Sequence, residues 1–81
     1  MKRIMLMKGL TKMKISARNQ LKGKVAEIKE GAVNGTVKID IGGGNYITAV
    51  ITMDSIANLG LKVGSDACAV IKASSVMVAV E

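Results

Sequence analysis

The chain has 81 residues, with one cysteine and no histidine. This length fits one small domain whose core is only marginally stable alone. A lone thiol excludes a disulfide within the chain and argues against a four-ligand zinc site. Apolar residues make up 49% of the sequence, more than so small a core can bury, and Tyr46 is the only aromatic residue. We therefore expect other subunits of an oligomer to cover much of the apolar surface.

The net charge of +6 is concentrated at the N-terminus. Lys2, Arg3, Lys8 and Lys12 give residues 1–12 a charge of +4, so residues 13–81 carry the remaining +2. We interpret residues 1–12 as a basic leader, either a disordered tail or a start-site artefact with Met13 as the initiator. Residues 13–81 are then the domain. No run approaches the roughly 18 apolar residues that span a bilayer, and no signal peptide is recognisable, which predicts a cytoplasmic protein.

Beyond the leader, glycines divide the chain into short segments rich in β-branched residues. The pattern predicts six strands, at residues 15–20, 24–29, 37–41, 46–52, 66–72 and 75–80. In the third strand Val37, Ile39 and Ile41 alternate with polar residues, and the glycine run 42–44 should form the following hairpin loop. The last two strands are apolar at nearly every position, so both of their faces should be covered.

One short helix is predicted between the strands. Thr52 or Asp54 can cap its first turn. Ile56 and Leu59 supply its buried side, and Gly60 ends it. Five or six strands with one short helix, in so short a chain, predict an all-β fold. A small, closed, OB-like barrel fits this element order best.

The residue types argue against catalysis. No histidine can act as a base near neutral pH, and the six acidic residues are scattered without the spacing of an acid–base pair. Cys68 lies in the apolar run 67–71 without a candidate base, so we expect a reduced, buried residue rather than a nucleophile. The glycine run 42–44 joins two strands and lacks the Lys-Ser or Lys-Thr pair of a phosphate loop. We expect no enzyme and no catalytic residue.

Two cations lie deepest in the strand sequence. Arg18 is part of the polar patch 16–20, and Lys72 follows the apolar run 69–71. Strand cations are often solvated edge residues that discourage aggregation, and the residues alone leave this interpretation open beside a binding role. Nucleic-acid binding by an OB barrel would need aromatic platforms on which bases stack, which one tyrosine cannot provide.

Two segments resemble the motifs of a known family. Residues 15–25, ISARNQLKGKV, look like the opening motif of the molbindins, and residues 71–77, IKASSVM, look like their closing motif. Residues 47–52 and 59–64 also match the family pattern in order and spacing, so the resemblance covers residues 13–81. It implies an OB-like β-fold and a hexamer built as a trimer of dimers. It also implies oxyanion sites between subunits.

The resemblance further implies which residues hold the oxyanion. The positions that match the family's molybdate ligands are Ser16, Arg18, Thr52 and Lys72. Ala73 and Ser74 lie beside Lys72 and offer amide or hydroxyl donors, while Asn19 and Gln20 are additional candidates within the opening motif. The expected ligand is molybdate or tungstate. We expect no organic cofactor, no metal bound other than as the oxyanion, and no nucleic-acid or membrane partner.

The expected function is therefore intracellular storage and homeostasis of molybdate or tungstate. Two alternatives stay open. One is an oxyanion-responsive module that regulates a protein partner. The other is a nucleic-acid-binding OB domain, in which the basic leader would contact the phosphate backbone in a salt-sensitive way.

Overall fold

The protein forms a single antiparallel sheet with one short helix. The computed structural model describes residues 15–81, so the basic leader lies outside the described residues. Four strands have the spatial order β3-β2-β1-β4 and curl into a half-barrel. The elements in chain order are β1 (Asn19–Lys29), β2 (Asn34–Gly42), β3 (Asn45–Thr52), α1 (Met53–Leu59), β4 (Asp66–Ile71) and a 3₁₀ turn (Ala73–Ser75). The prediction of a β fold with one short helix is confirmed.

Strand β1 replaces the first two predicted strands, whose separation was wrong. It pairs with β4 from Asn19 to Lys24 and with β2 from Lys24 to Lys29, with a bulge between Val25 and Glu27. Gly23 lies inside this strand, where a Cβ would collide with the carbonyl oxygen of Asp40. The glycine therefore permits a close backbone approach and does not end a strand.

The hairpin between β2 and β3 follows the prediction. Gly42, Gly43 and Gly44 all have positive φ, at 97°, 63° and 80°, a conformation that side chains disfavour. The amide of Gly42 donates a hydrogen bond of 2.9 Å to Oδ1 of Asp40. The glycine run thus reverses the chain at minimal steric cost.

Helix α1 is capped as the sequence predicts, but its buried side differs. Oγ1 of Thr52 accepts a hydrogen bond of 3.0 Å from the amide of Ser55, and Gly60 ends the helix with φ of 65°. Ile56 is buried, whereas Leu59 remains 66% exposed. The prediction that Leu59 is buried was wrong, because the chain reverses at Gly60 and Leu61 packs against the core.

The core is small, and the C-terminal segment does not contribute to it. The buried apolar residues are Val25, Val37, Ile39, Ile56 and Ala69. Cys68, expected to be buried, is only half-buried. Strand β4 ends at Ile71, and residues 76–81 form no strand with residues 15–75. The predicted strand 75–80 is therefore absent from the described chain, because an apolar run becomes a strand only when a neighbouring strand pairs with it.

The described chain has four strands in an open sheet, fewer than the five or six of the expected closed barrel. Among residues 15–81, no helix has the length and apolar character needed to cross a membrane.

Candidate functional site

The pairing of β1 with β4 brings the two ends of the described chain together. Asn19 is the register partner of Ile71, and its side-chain Nδ2 donates a hydrogen bond of 3.2 Å to the carbonyl oxygen of Ile71. Arg18 precedes this pair on one strand, and Lys72 follows it on the other. Because the strands are antiparallel, the two cations leave the sheet at the same end and on adjacent strands.

Arg18 and Lys72 are both exposed, and neither belongs to an ion pair of the described chain. The ion pairs found within residues 15–81 are Lys24–Asp66 and Lys38–Glu27. Asp66 starts β4, at the end of that strand away from Lys72. The two cations therefore keep their charges available for an external anion.

The bend before β1 is held by a local hydrogen bond. Nε2 of Gln20 donates to the carbonyl oxygen of Ala17 at 3.1 Å, which fixes the backbone that carries Ser16 and Arg18. Ser16 is exposed on this bend, so its hydroxyl is free to rotate towards a ligand. The side-chain amides of Asn19 and Gln20 thus donate to backbone carbonyl groups and hold the start of β1 in place.

On the other strand, the 3₁₀ turn holds the segment that follows Lys72. The amide of Ser75 donates to the carbonyl oxygen of Lys72 at 2.9 Å, and the amide of Val76 donates to that of Ala73 at 3.2 Å. The amides of Ala73 and Ser74 belong to the first part of this turn, where an amide has no acceptor within the turn itself. Both residues are exposed beside Lys72.

Thr52 lies far from the other predicted site residues. It is the last residue of the edge strand β3 and pairs with Asn34 of β2. This pair lies near the C-terminal end of β1, whereas Asn19 is at the N-terminal end of that strand. Since β1 has 11 residues, a straight strand of that length would separate the two positions by on the order of 30 Å. The Thr52 hydroxyl also donates to Oγ of Ser55 at 2.9 Å while it caps α1. One chain therefore brings together Ser16, Arg18, Lys72, Ala73 and Ser74, but not Thr52.

Comparison with known proteins identifies the family. The TOBE domain model matches residues 15–78. A probable molybdenum-pterin-binding protein of Haemophilus influenzae is 58% identical over 69 residues, which cover 85% of this chain and 100% of that protein. The structure of MopII from Clostridium pasteurianum superposes with a TM-score of 0.78 at 49% identity, over 83% of this chain and 100% of MopII. The chain belongs to the molbindin family of TOBE domains.

A second solved structure shows a relative of this molbindin with its ligand. The cytoplasmic molybdate-binding protein ModG, with molybdate bound, superposes with a TM-score of 0.73 at 48% identity. The match covers 78% of this chain and 45% of the ModG chain. These relatives are named for binding, in agreement with the expectation of a non-enzymatic protein.

The molbindin also has an open apolar groove that the sequence did not reveal. Its volume is about 640 Å³, and it is lined by both edge strands, β3 and β4, together with part of β2. Thr48 and Asp66 are the polar residues in an otherwise apolar lining. The apolar residues that predominate in β3 and β4 were the signal for such a surface, but they do not say whether the two edges meet.

Proposed function

We propose that this molbindin binds molybdate or tungstate in the cytoplasm and stores it without catalysing a reaction. The observation that carries the proposal is the Asn19–Ile71 pair, since it sets Arg18 and Lys72 side by side at one end of the sheet. The molybdate bound to ModG, and the description of that relative as cytoplasmic, support it.

The residue types at this end of the sheet suit the ligand. Molybdate is a dianion whose four oxygens all accept hydrogen bonds, so its site needs donors and no carboxylate. Arg18 offers a planar fork of donors, and Lys72 a compact charge. The hydroxyl of Ser16 and the Ala73 and Ser74 amides add neutral donors. Two cations against a dianion leave the occupied site close to neutral, which limits the several kcal/mol that an unpaired buried ion costs.

The position of Thr52 favours a site shared between chains. Its hydroxyl lies at the far end of the sheet, so it joins Arg18 and Lys72 only if a neighbouring subunit supplies it. We propose that the sites form between subunits of a hexamer, a trimer of dimers, in which the open half-barrel becomes part of a closed, OB-like barrel. Assembly would also cover apolar groups that a single chain leaves exposed, such as Val63 and Val76.

The structure adds no support for the alternative function of nucleic-acid binding. The one aromatic ring, that of Tyr46, has Nζ of Lys38 at 5.1 Å from its centroid, so a cation already occupies one face of the only stacking platform in the chain.

Isothermal titration of the purified protein tests the proposal. We expect molybdate and tungstate to bind with similar affinity, because the two ions are nearly equal in size. Sulfate has the same charge and shape but is smaller, so it should bind more weakly and serves as the matched control ligand. Absence of heat from both molybdate and tungstate at micromolar concentrations would refute the proposed function.

A further inference from the structure

The sheet of the described chain is only two strands wide at the end that carries Arg18 and Lys72. Strand β1 pairs with β2 over residues 24–29, so its residues 19–23 pair with β4 alone. Because β4 is itself an edge strand of residues 15–81, no third strand of the described chain supports this ribbon. An isolated pair of strands is marginally stable in water, so the spacing of the two cations depends on what holds this end together.

The charges of the two cations oppose the pairing of the strands that carry them. Arg18 and Lys72 are the next residues beyond the last pair, Asn19 with Ile71, and like charges on neighbouring strands destabilise an antiparallel pair. Both cations are exposed, and no carboxylate of residues 15–81 forms an ion pair with either. The ligand-free end of the sheet therefore needs an interaction that keeps the strands paired.

The side chain of Asn19 provides this interaction. Asn19 is half-buried, and its Nδ2 donates to the carbonyl oxygen of Ile71 at 3.2 Å. Among residues 15–81, the other hydrogen bonds between a side chain and the backbone join residues at most three positions apart, whereas this one joins residues 52 positions apart. The accepting carbonyl belongs to the residue directly before Lys72, and the donor follows Arg18 directly. The bond thus connects the two cation-bearing segments.

We propose that Asn19 is a positioning residue, which holds Arg18 and Lys72 at the spacing that the oxyanion bridges and does not itself contact the ligand. One N–H of its amide is engaged by Ile71, and its side-chain oxygen is an acceptor, which the oxygens of molybdate repel. Loss of the bond lowers the fraction of molecules whose cations are correctly spaced, and the apparent dissociation constant rises in proportion. This inference rests on the proposed oxyanion site.

Calorimetric titration of the full chain with sodium molybdate tests the positioning role. Asn19→Leu keeps a side chain of similar size without a donor, and we expect its dissociation constant to be about 2- to 10-fold higher than that of the parent, the effect of one neutral hydrogen bond. Asn19→Gln retains an amide donor and should bind more tightly than Asn19→Leu. The matched control Asn58→Leu makes the same change at an exposed position of α1 and should bind as the parent does.

The titrations are made at a temperature at which circular dichroism shows every variant to be folded, so that a change in stability alone does not alter the dissociation constant. An Asn19→Leu protein that binds molybdate with the dissociation constant of the parent would overturn the inference and leave the proposed function intact. A parent protein that binds no molybdate would instead refute the proposed function, and the inference with it.

The crystal structure of the molybdate-loaded parent gives a second measurement that needs no variant. We expect Nδ2 of Asn19 to remain within hydrogen-bonding distance of the Ile71 carbonyl and to lie beyond that distance from every molybdate oxygen. An Asn19 side chain that leaves Ile71 and donates to the ligand would make it a ligand residue and overturn the positioning role.

Discussion

Arg18 and Lys72 lie one residue beyond the last pair of two antiparallel strands, a position that distinguishes them from the other cations of the sheet. Lys24 and Lys38, by contrast, have carboxylates of the same sheet within reach. The sequence predicted both Arg18 and Lys72 as binding residues only through the molbindin resemblance, because an isolated strand cation is equally well explained as a solvated edge residue. Strand register, which brings residues 54 positions apart in the sequence to one place, is not visible in the sequence alone.

Removal of either cation should weaken ligand binding without affecting assembly. We expect Arg18→Ala and Lys72→Ala each to lower molybdate affinity by about 10- to 100-fold, since a hydrogen bond to a charged group contributes about 1.5–3 kcal/mol. Titration calorimetry measures the affinity and light scattering the mass. Lys22 is an exposed cation within β1, and the control variant Lys22→Ala should bind molybdate as the parent does. Loss of the oligomer together with binding would mean that the cations are structural.

Gly23 permits a second test at the residue scale. A Cβ at this position would collide with the Asp40 carbonyl and crowd Ile39, so Gly23→Ala should destabilise the fold by about 1–3 kcal/mol through overpacking. Urea unfolding at fixed protein concentration measures the change in the free energy of unfolding. Lys22→Ala should stay within about 0.5 kcal/mol of the parent, as surface substitutions usually do. A neutral Gly23→Ala would mean that β1 and β2 lie farther apart than the structure shows.

At the scale of the elements, local patterns predicted whatever depends on neighbours in the sequence. The β2–β3 hairpin, the Thr52 cap and the Gly60 stop of α1 follow from residue types at fixed spacings. The sequence analysis did not predict that β1 continues through Gly23, because glycine is also common in turns. Only the short distance between Gly23 and the Asp40 carbonyl explains why a glycine is needed inside this strand. The strand predicted at 75–80 is absent from the described chain, because its pairing depends on what lies beside it.

Thr52 caps α1, and we propose that its hydroxyl also donates to the ligand. Thr52→Ala removes both, so we expect a loss of about 0.5–2 kcal/mol in stability together with weaker molybdate binding. Ser55→Ala is the matched control, since it keeps the amide that Thr52 caps and removes only the hydroxyl that accepts from Thr52. This control should bind molybdate as the parent does. A Thr52→Ala protein that binds molybdate with the affinity and stoichiometry of the parent would exclude Thr52 from the site.

At the scale of the whole molecule, the sequence predicted that the chain needs partners, but not where they attach. The apolar content exceeds what the five buried apolar residues of the described chain account for, and the molbindin resemblance placed Thr52 with Arg18. In a single chain those two residues lie at opposite ends of the sheet. Composition and residue spacing in the sequence cannot predict this separation. The site that we propose would therefore be formed by the assembly and not by one chain.

Ligand should stabilise this assembly. An empty site brings two cations together, and an oxyanion relieves their repulsion. Molybdate at 100 times its dissociation constant should add about 2.7 kcal/mol per site to the free energy of unfolding. Thermal unfolding with and without the ligand measures this as a rise in Tm, which should be clearly smaller in the Arg18→Ala protein at the same ligand concentration. An equal rise in that variant would locate the ligand elsewhere.

The most direct measurement is an anomalous difference map, recorded at the molybdenum absorption edge from crystals of the molybdate-loaded protein. We predict a peak between chains, within hydrogen-bonding distance of the Arg18 guanidinium and the Lys72 ammonium of one subunit and of the Thr52 hydroxyl of a neighbour. A map in which Arg18 and Lys72 point separately into solvent, with molybdenum bound at other residues or absent, would contradict the shared donor site.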